Sequence, residues 1–143
     1  MDKTAFLLLI MLSITWGCAT LLGASPTITT SCSFEETWSL ALASVNEFEL
    51  RGLDKNQGVI ETEWLAFASQ RKAGLLQRDA NQERARFFIN LKSTQGATQV
   101  SVRQFREFLS PMGVQSQAVQ WRRIPPISGE EQRLVQRISH KLE

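Results

Sequence analysis

From Arg84 to Lys92 the side chains alternate with a period of two, and after the tetrapeptide STQG (93–96) the alternation resumes. Ala85, Phe87, Ile89 and Leu91 share one face, opposite Arg84, Arg86, Phe88, Asn90 and Lys92. Thr98, Val100 and Val102 then lie opposite Gln99, Ser101 and Arg103. Successive strand residues point to opposite faces, so the pattern predicts a hairpin that is dry on one side and wet on the other. Something else in the chain must cover the dry side.

Two segments can supply that cover. SFEE (33–36) is a capping-box pattern, in which a serine hydroxyl and a glutamate carboxylate satisfy the free amides of a helix start. Behind it Trp38, Leu42 and Val45 recur at three- and four-residue spacing with Ala41 beside them, predicting a helix over about Phe34 to Ser44. SGEE (128–131), after the stiff IPPI, reads as a second capping box. Leu134, Val135, Ile138 and Leu142 then form one apolar stripe, with Arg133, Arg137 and Lys141 elsewhere, so a final helix should lie on the sheet beside the first.

A second hairpin is expected upstream. Phe48 and Leu50 alternate with Glu47, Glu49 and Arg51, GLDKNQG (52–58) carries turn chemistry, and a further strand follows. In that strand Ile60, Thr62, Trp64 and Ala66 should share one face, with Val59, Glu61, Glu63 and Leu65 on the other. SQRKAGLLQRDANQE (69–83) reads as a polar linker, and Val119 and Trp121 alternate with Gln120 and Arg122 as a short edge strand would. The sum is an α+β fold: an antiparallel sheet of four to five strands with an N-terminal and a C-terminal helix packed on one face. The roughly 110 residues behind the N-terminal segment suffice for one core without metal or disulfide staples.

The N-terminal segment is different in kind. AFLLLIMLSI (5–14) is a largely apolar run of ten residues, within the ~7–15 of a signal-peptide core and short of the ~20 needed to span a bilayer. Gly17-Cys18 follows, and a small residue before a cysteine at this place resembles a bacterial lipobox, although Trp16 is bulkier than that pattern prefers. The resemblance implies a signal peptide at 1–17, acylation of Cys18, and a lipidated tether at 18–32 before a single domain at 33–143. Ala19 after the cysteine resembles the signal for outer-membrane delivery, and acyl chains anchor by ~0.8 kcal/mol per buried methylene. Two alternatives stay open. Thr4 to Ala24 is uncharged, so a retained inner-membrane helix is sterically possible, and simple secretion by cleavage near Ser25 would place Pro26 just after the cut. With Cys18 lipidated, Cys32 has no partner in the chain and is a free thiol or simply a small residue.

Charge is unevenly placed. Glu35 to Glu63 holds seven acids against two bases, and Arg71 to Arg123 ten bases against three acids. Arg84, Arg86, Lys92, Arg103, Arg106, Arg122 and Arg123 are therefore the candidate interaction surface, suited to an acidic partner or anionic lipid, or to the acidic half of the fold itself. Catalytic candidates are few. His140 is the only histidine and sits on the polar side of the last helix; Glu61 and Glu63 form an i,i+2 carboxylate pair that more readily solvates a strand than does acid–base work. No Cys/His set has metal spacing and no glycine-rich loop suits a phosphate, so neither cofactor nor metal is expected. The chain reads as non-enzymatic, and an exported compartment argues against nucleic acid.

In order, a lipobox-like start, a helix carrying Trp38, FELRGLD, GVIETEW, RARFFINL and TQVSVRQF resemble the repeated domain of BamC-type outer-membrane assembly lipoproteins over about residues 33–143. G-x-I-x-T-x-W (58–64) is the most specific part. The resemblance implies a helix-grip domain, with an antiparallel sheet gripping the C-terminal helix. It further implies an accessory or adaptor role at the periplasmic face of the outer membrane, docking on an envelope assembly or transport complex. That family carries two such domains, whereas one fits here. Two other roles remain open: binding of a lipid or other apolar ligand between sheet and C-terminal helix, and handling of lipopolysaccharide by the arginine-rich residues.

Overall fold

The computed structural model describes residues 24–69, 82–111 and 119–143. In chain order these form β1 (Thr27–Thr30), α1 (Phe34–Ser44), β2 (Leu50–Asp54), β3 (Val59–Thr62), β4 (Leu65–Ala68), β5 (Gln82–Thr94), β6 (Ala97–Pro111), β7 (Val119–Ile124) and α2 (Glu130–Leu142). The class is α+β, with every strand pair antiparallel.

The β5–β6 hairpin is the spine, paired from Thr94↔Ala97 at the turn to Glu83↔Phe108. Gly96 closes its turn at φ +83°, a conformation that side chains disfavour. Each long strand is flanked by two short ones. β1 and β7 pair successive stretches of β6, at Ile28↔Val100 and Glu107↔Arg123. β3 and β4 do the same on β5, at Ile60↔Ile89 and Leu65↔Ala85, and β2 lies outside β3.

The sheet thus has seven strands among the described residues rather than the expected four to five. One addition is β1, drawn from residues expected in the tether: three β-branched threonines and Ile28 suit a pleated edge, and Ile28 packs on the core. The other arises because the predicted strand beyond Val59 breaks in two. Glu61 stands opposite Phe88 and Leu65 opposite Ala85, so three intervening residues face two. One surplus residue moves everything beyond it to the other face. Ile60 and Thr62 are buried as expected, but Trp64 and Ala66 leave their face while Leu65 and Phe67 join it. The Thr62 hydroxyl accepts from the Phe87 amide at 2.9 Å beside the break.

The alternation of β5 and β6 holds as the sequence predicts. Ile60, Ile89, Val100, Val102 and Ile138 are fully buried, with Trp38 and Ala41 of α1, its C-cap Val45, and Leu134 and Val135 of α2 above them. Both helices therefore lie on the dry face. Ser33 caps α1 with a complete capping box. At its other end α1 has no basic residue in the last turn, and α2 supplies the donors: Arg137 Nη1 to Ser44 O at 3.3 Å and Lys141 Nζ to Ala43 O at 2.8 Å.

The predicted capping box of α2 does not form. Gly129, at φ +82°, occupies the N-cap with no side-chain bond. Glu131 instead accepts from the Gln104 amide at 2.7 Å, and Gln104 Oε1 accepts from the Ile127 amide at 2.8 Å. The helix start is thereby fixed to β6 at Gln104. Its other end lies at Cys32, whose Sγ is 4.0 Å from Leu142 O and whose carbonyl accepts from Thr98 at 3.0 Å. A helix of 13 residues is ~20 Å long, about six residue steps of a strand, which is the distance from Thr98 to Gln104. β6 has fifteen residues, so α2 does not follow the hairpin beyond Gln104.

Candidate interaction surface

Pairing register decides which of the predicted basic residues come together. Arg84, Arg86 and Arg103 project from the helix-free face of β5 and β6, and Arg123 joins them because it pairs with Glu107, itself opposite Arg84. Lys92 belongs to the same face near the turn and is exposed. Arg106 and Arg122 belong to the other face: Arg106 is opposite Ala85 and Arg122 opposite Phe108. Arg106 instead holds the buried carboxylate of Glu83, with Nε 2.7 Å from Oε2.

Three of these residues, Arg84, Arg86 and Arg123, build a layered surface with three aromatic rings. The Arg84 guanidinium carbon is 4.4 Å from the ring centroid of Trp64 and 4.1 Å from that of Trp121. Arg86 lies 4.6 Å from Trp64 and 5.5 Å from Phe105, and Arg123 is 4.7 Å from Phe105. Planar guanidinium groups stack on aromatic faces through charge–quadrupole attraction, each contact contributing ~0.5–1 kcal/mol where partly solvated. Two carboxylates fix the inner arginines: Glu107 accepts from Arg84 Nε and Nη2 at 2.8 and 2.6 Å, and Glu61 pairs with Arg86.

Toward β1 the face hollows. A depression of about 390 Å³ is lined by Arg86, Asn90, Arg103, Phe105 and Ser25. Arg103 Nε donates to the Ser25 hydroxyl at 3.0 Å, whereas the buried Arg86 Nε and Asn90 Oδ1 have no hydrogen-bond partner among the described residues. Arg103 and Arg123 are exposed and make no carboxylate pair among the described residues.

The remaining candidates are dispersed. Glu61 lies on the helix-free face, while Glu63, past the register shift, lines a groove on the helix side, so the two carboxylates do not share a site. His140 is exposed in the last turn of α2. Cys32 is half-buried and has no disulfide partner among the described residues. Cys18 and the apolar run before it lie outside the described residues, as does most of the predicted linker. Among the described residues no helix is long and apolar enough to cross a membrane, and no three His, Cys, Asp or Glu side chains cluster to hold a metal.

Sequence reasoning found the arginines and missed the rings between them. Trp121 was legible as part of an alternating edge strand, but Trp64 reaches the surface only through the surplus residue before Leu65. No protein-family model matches the chain, and no curated protein matches it significantly.

Proposed function

We propose that the chain is a non-enzymatic adaptor, held by acyl chains on Cys18 at the periplasmic face of the outer membrane, and a single-domain relative of the BamC-type assembly lipoproteins. In this reading the helix-free sheet face docks on an envelope assembly or transport complex. The observation that carries it is the ladder Trp121–Arg84–Trp64–Arg86–Phe105–Arg123, an ordered surface of the residue types that dominate binding energy at protein interfaces. Its members hold one another in place, so docking would order few side chains. Arg103 and Arg123 remain available for acidic groups of a partner. The seating of α2 along β6 supports the helix-grip comparison.

Two measurements test the reading. Expressed in a Gram-negative host with labelled palmitate, the chain should take up label and Cys18→Ser should not; an unlabelled, unprocessed chain overturns the anchor. In the same cells, crosslinked envelope proteins recovered with the wild type should be lost in Arg103→Glu/Arg123→Glu, which alters exposed charges without touching the core. An unchanged set of crosslinked partners overturns docking through this face.

A further inference from the structure

Where α2 stops at Gln104, the helix side of the sheet opens into a groove of about 650 Å³. Phe87 and Ala85 of β5 line its floor, and Phe48, Ile127, Leu65 and Phe67 line it around them. Phe48 meets Phe87 edge-to-face at 5.5 Å between centroids, which fixes the floor. Leu65 is 57% exposed, the most exposed large apolar side chain among the described residues. The register shift that sends Trp64 to the opposite face is what turns Leu65 and Phe67 into this groove.

The rim is acidic. Glu47, Glu49, Glu63 and Glu130 line it, against one base, Arg137. Glu47 pairs with Arg137 and Glu130 with Arg133, so two carboxylates are already compensated. Glu49 and Glu63 are not. They stand directly opposite one another on adjacent chain segments, with the Glu63 amide donating to the Glu49 carbonyl at 2.7 Å, and neither makes an ion pair among the described residues. Like charges at opposed positions repel, and a cation placed between them would remove that repulsion.

We infer that this groove is a second docking site, independent of the membrane anchor and of the arginine ladder, and that its occupant is a basic apolar peptide segment of a partner protein. Bulky apolar side chains of the segment fill the space over Phe87 and between Leu65 and Ile127, while its Lys or Arg side chains lie between Glu49 and Glu63. A neutral lipid would fill the floor and leave the opposed carboxylates as they are. An acidic segment would worsen their repulsion. Charge at the rim therefore selects the partner and the apolar floor holds it.

The test is fluorescence anisotropy of a dye-labelled synthetic peptide of alternating leucine and lysine, titrated with the detergent-solubilised full-length protein. Binding should be saturable, should weaken with added salt, and should fall about tenfold in Glu49→Lys/Glu63→Lys, both positions being exposed. Leu65→Ser should also weaken it several-fold, because that side chain is part of the apolar wall, whereas Glu143→Lys, at the far end of α2, should leave it unchanged. Equal binding of a leucine–glutamate peptide, or an affinity unaffected by the double charge reversal, overturns the inference. So does self-association of the wild type that the double reversal abolishes, since a second copy would then be the occupant. Palmitate labelling of Cys18 and crosslinking through Arg103 and Arg123 would be untouched by any of these failures.

Discussion

Leu91 donates its amide to the Gly58 carbonyl at 2.7 Å, and a Cβ placed on Gly58 would lie 2.1 Å from the Leu91 carbonyl oxygen. The turn between β2 and β3 is therefore pressed against β5 at a point where only glycine fits. Gly58 also has φ +67°, so geometry and space make the same demand.

Gly58→Ala should destabilise the domain by about 3 kcal/mol or more, because backbone must move to admit the methyl group. Gly96→Ala makes the comparison clean. Gly96 has φ +83° with no atom within 4 Å of the added Cβ, so only the conformational cost of ~1 kcal/mol should appear. Urea unfolding followed by tryptophan fluorescence measures both, and equal losses would show that crowding at Leu91 is relieved cheaply.

Arg84 lies between two indole rings and on Glu107, and its charge alone does not account for these contacts. Arg84→Lys keeps a cation but loses the planar stack and the two-pronged bond to Glu107, at a cost of about 1 kcal/mol. Arg84→Ala removes the packed stem as well and should cost about 2 kcal/mol. Both substitutions should change the tryptophan emission through Trp64 and Trp121. A lysine variant as stable as wild type would mean that the stack contributes nothing beyond charge.

Glu83 is fully buried, with Oε2 bonded to Arg106 and Oε1 accepting from the Ser69 hydroxyl at 2.6 Å. Arg106→Met takes one bonded cation away from a buried carboxylate and should cost about 3 kcal/mol. Replacing both residues, as Glu83→Leu/Arg106→Met, should recover much of that loss, since the buried carboxylate is then gone as well. A double variant no more stable than Arg106→Met would indicate that Glu83 holds the strand start by other bonds.

The capping box at α1 makes a pH-dependent contribution. The Ser33 hydroxyl and amide both donate to the Glu36 carboxylate and hold its pKa below the ordinary 4.5. A carboxylate with a depressed folded-state pKa stabilises fully above its unfolded value, and that contribution is lost as pH falls through the folded value. Stability of the wild type relative to Ser33→Ala should therefore be greatest near neutrality and shrink below about pH 4.5. Denaturant unfolding of the pair at several pH values measures it, and a difference that stays constant into acid would remove the carboxylate from the account.

The local elements were written in local sequence. Ser33 and Glu36 set the start of α1, the odd positions of Arg84–Lys92 fixed the buried face of β5, and Leu134, Val135 and Ile138 gave α2 its inward stripe. Each signal is complete within a few residues, because helix caps and side-chain periods depend only on near neighbours. The reading that Ser128 caps α2 failed because Glu131, needed for the box, bonds to Gln104 on a distant strand.

Pairing register settled what the sequence left open. A strand of TITT became an edge because β6 offered it a partner, and seven strands formed among the described residues where fewer were expected. A single surplus residue between Glu61 and Leu65 reversed the sides of Trp64, Leu65 and Phe67, creating at once the aromatic layer under the arginines and the apolar wall of the groove. Alternation set Arg84, Arg86 and Arg103 opposite the dry face, but only register brought Arg123 beside them and turned Arg106 and Arg122 to the other face. The physical reason is that a strand's side chains have two possible sides, and which side is buried depends on a partner strand far away in the chain.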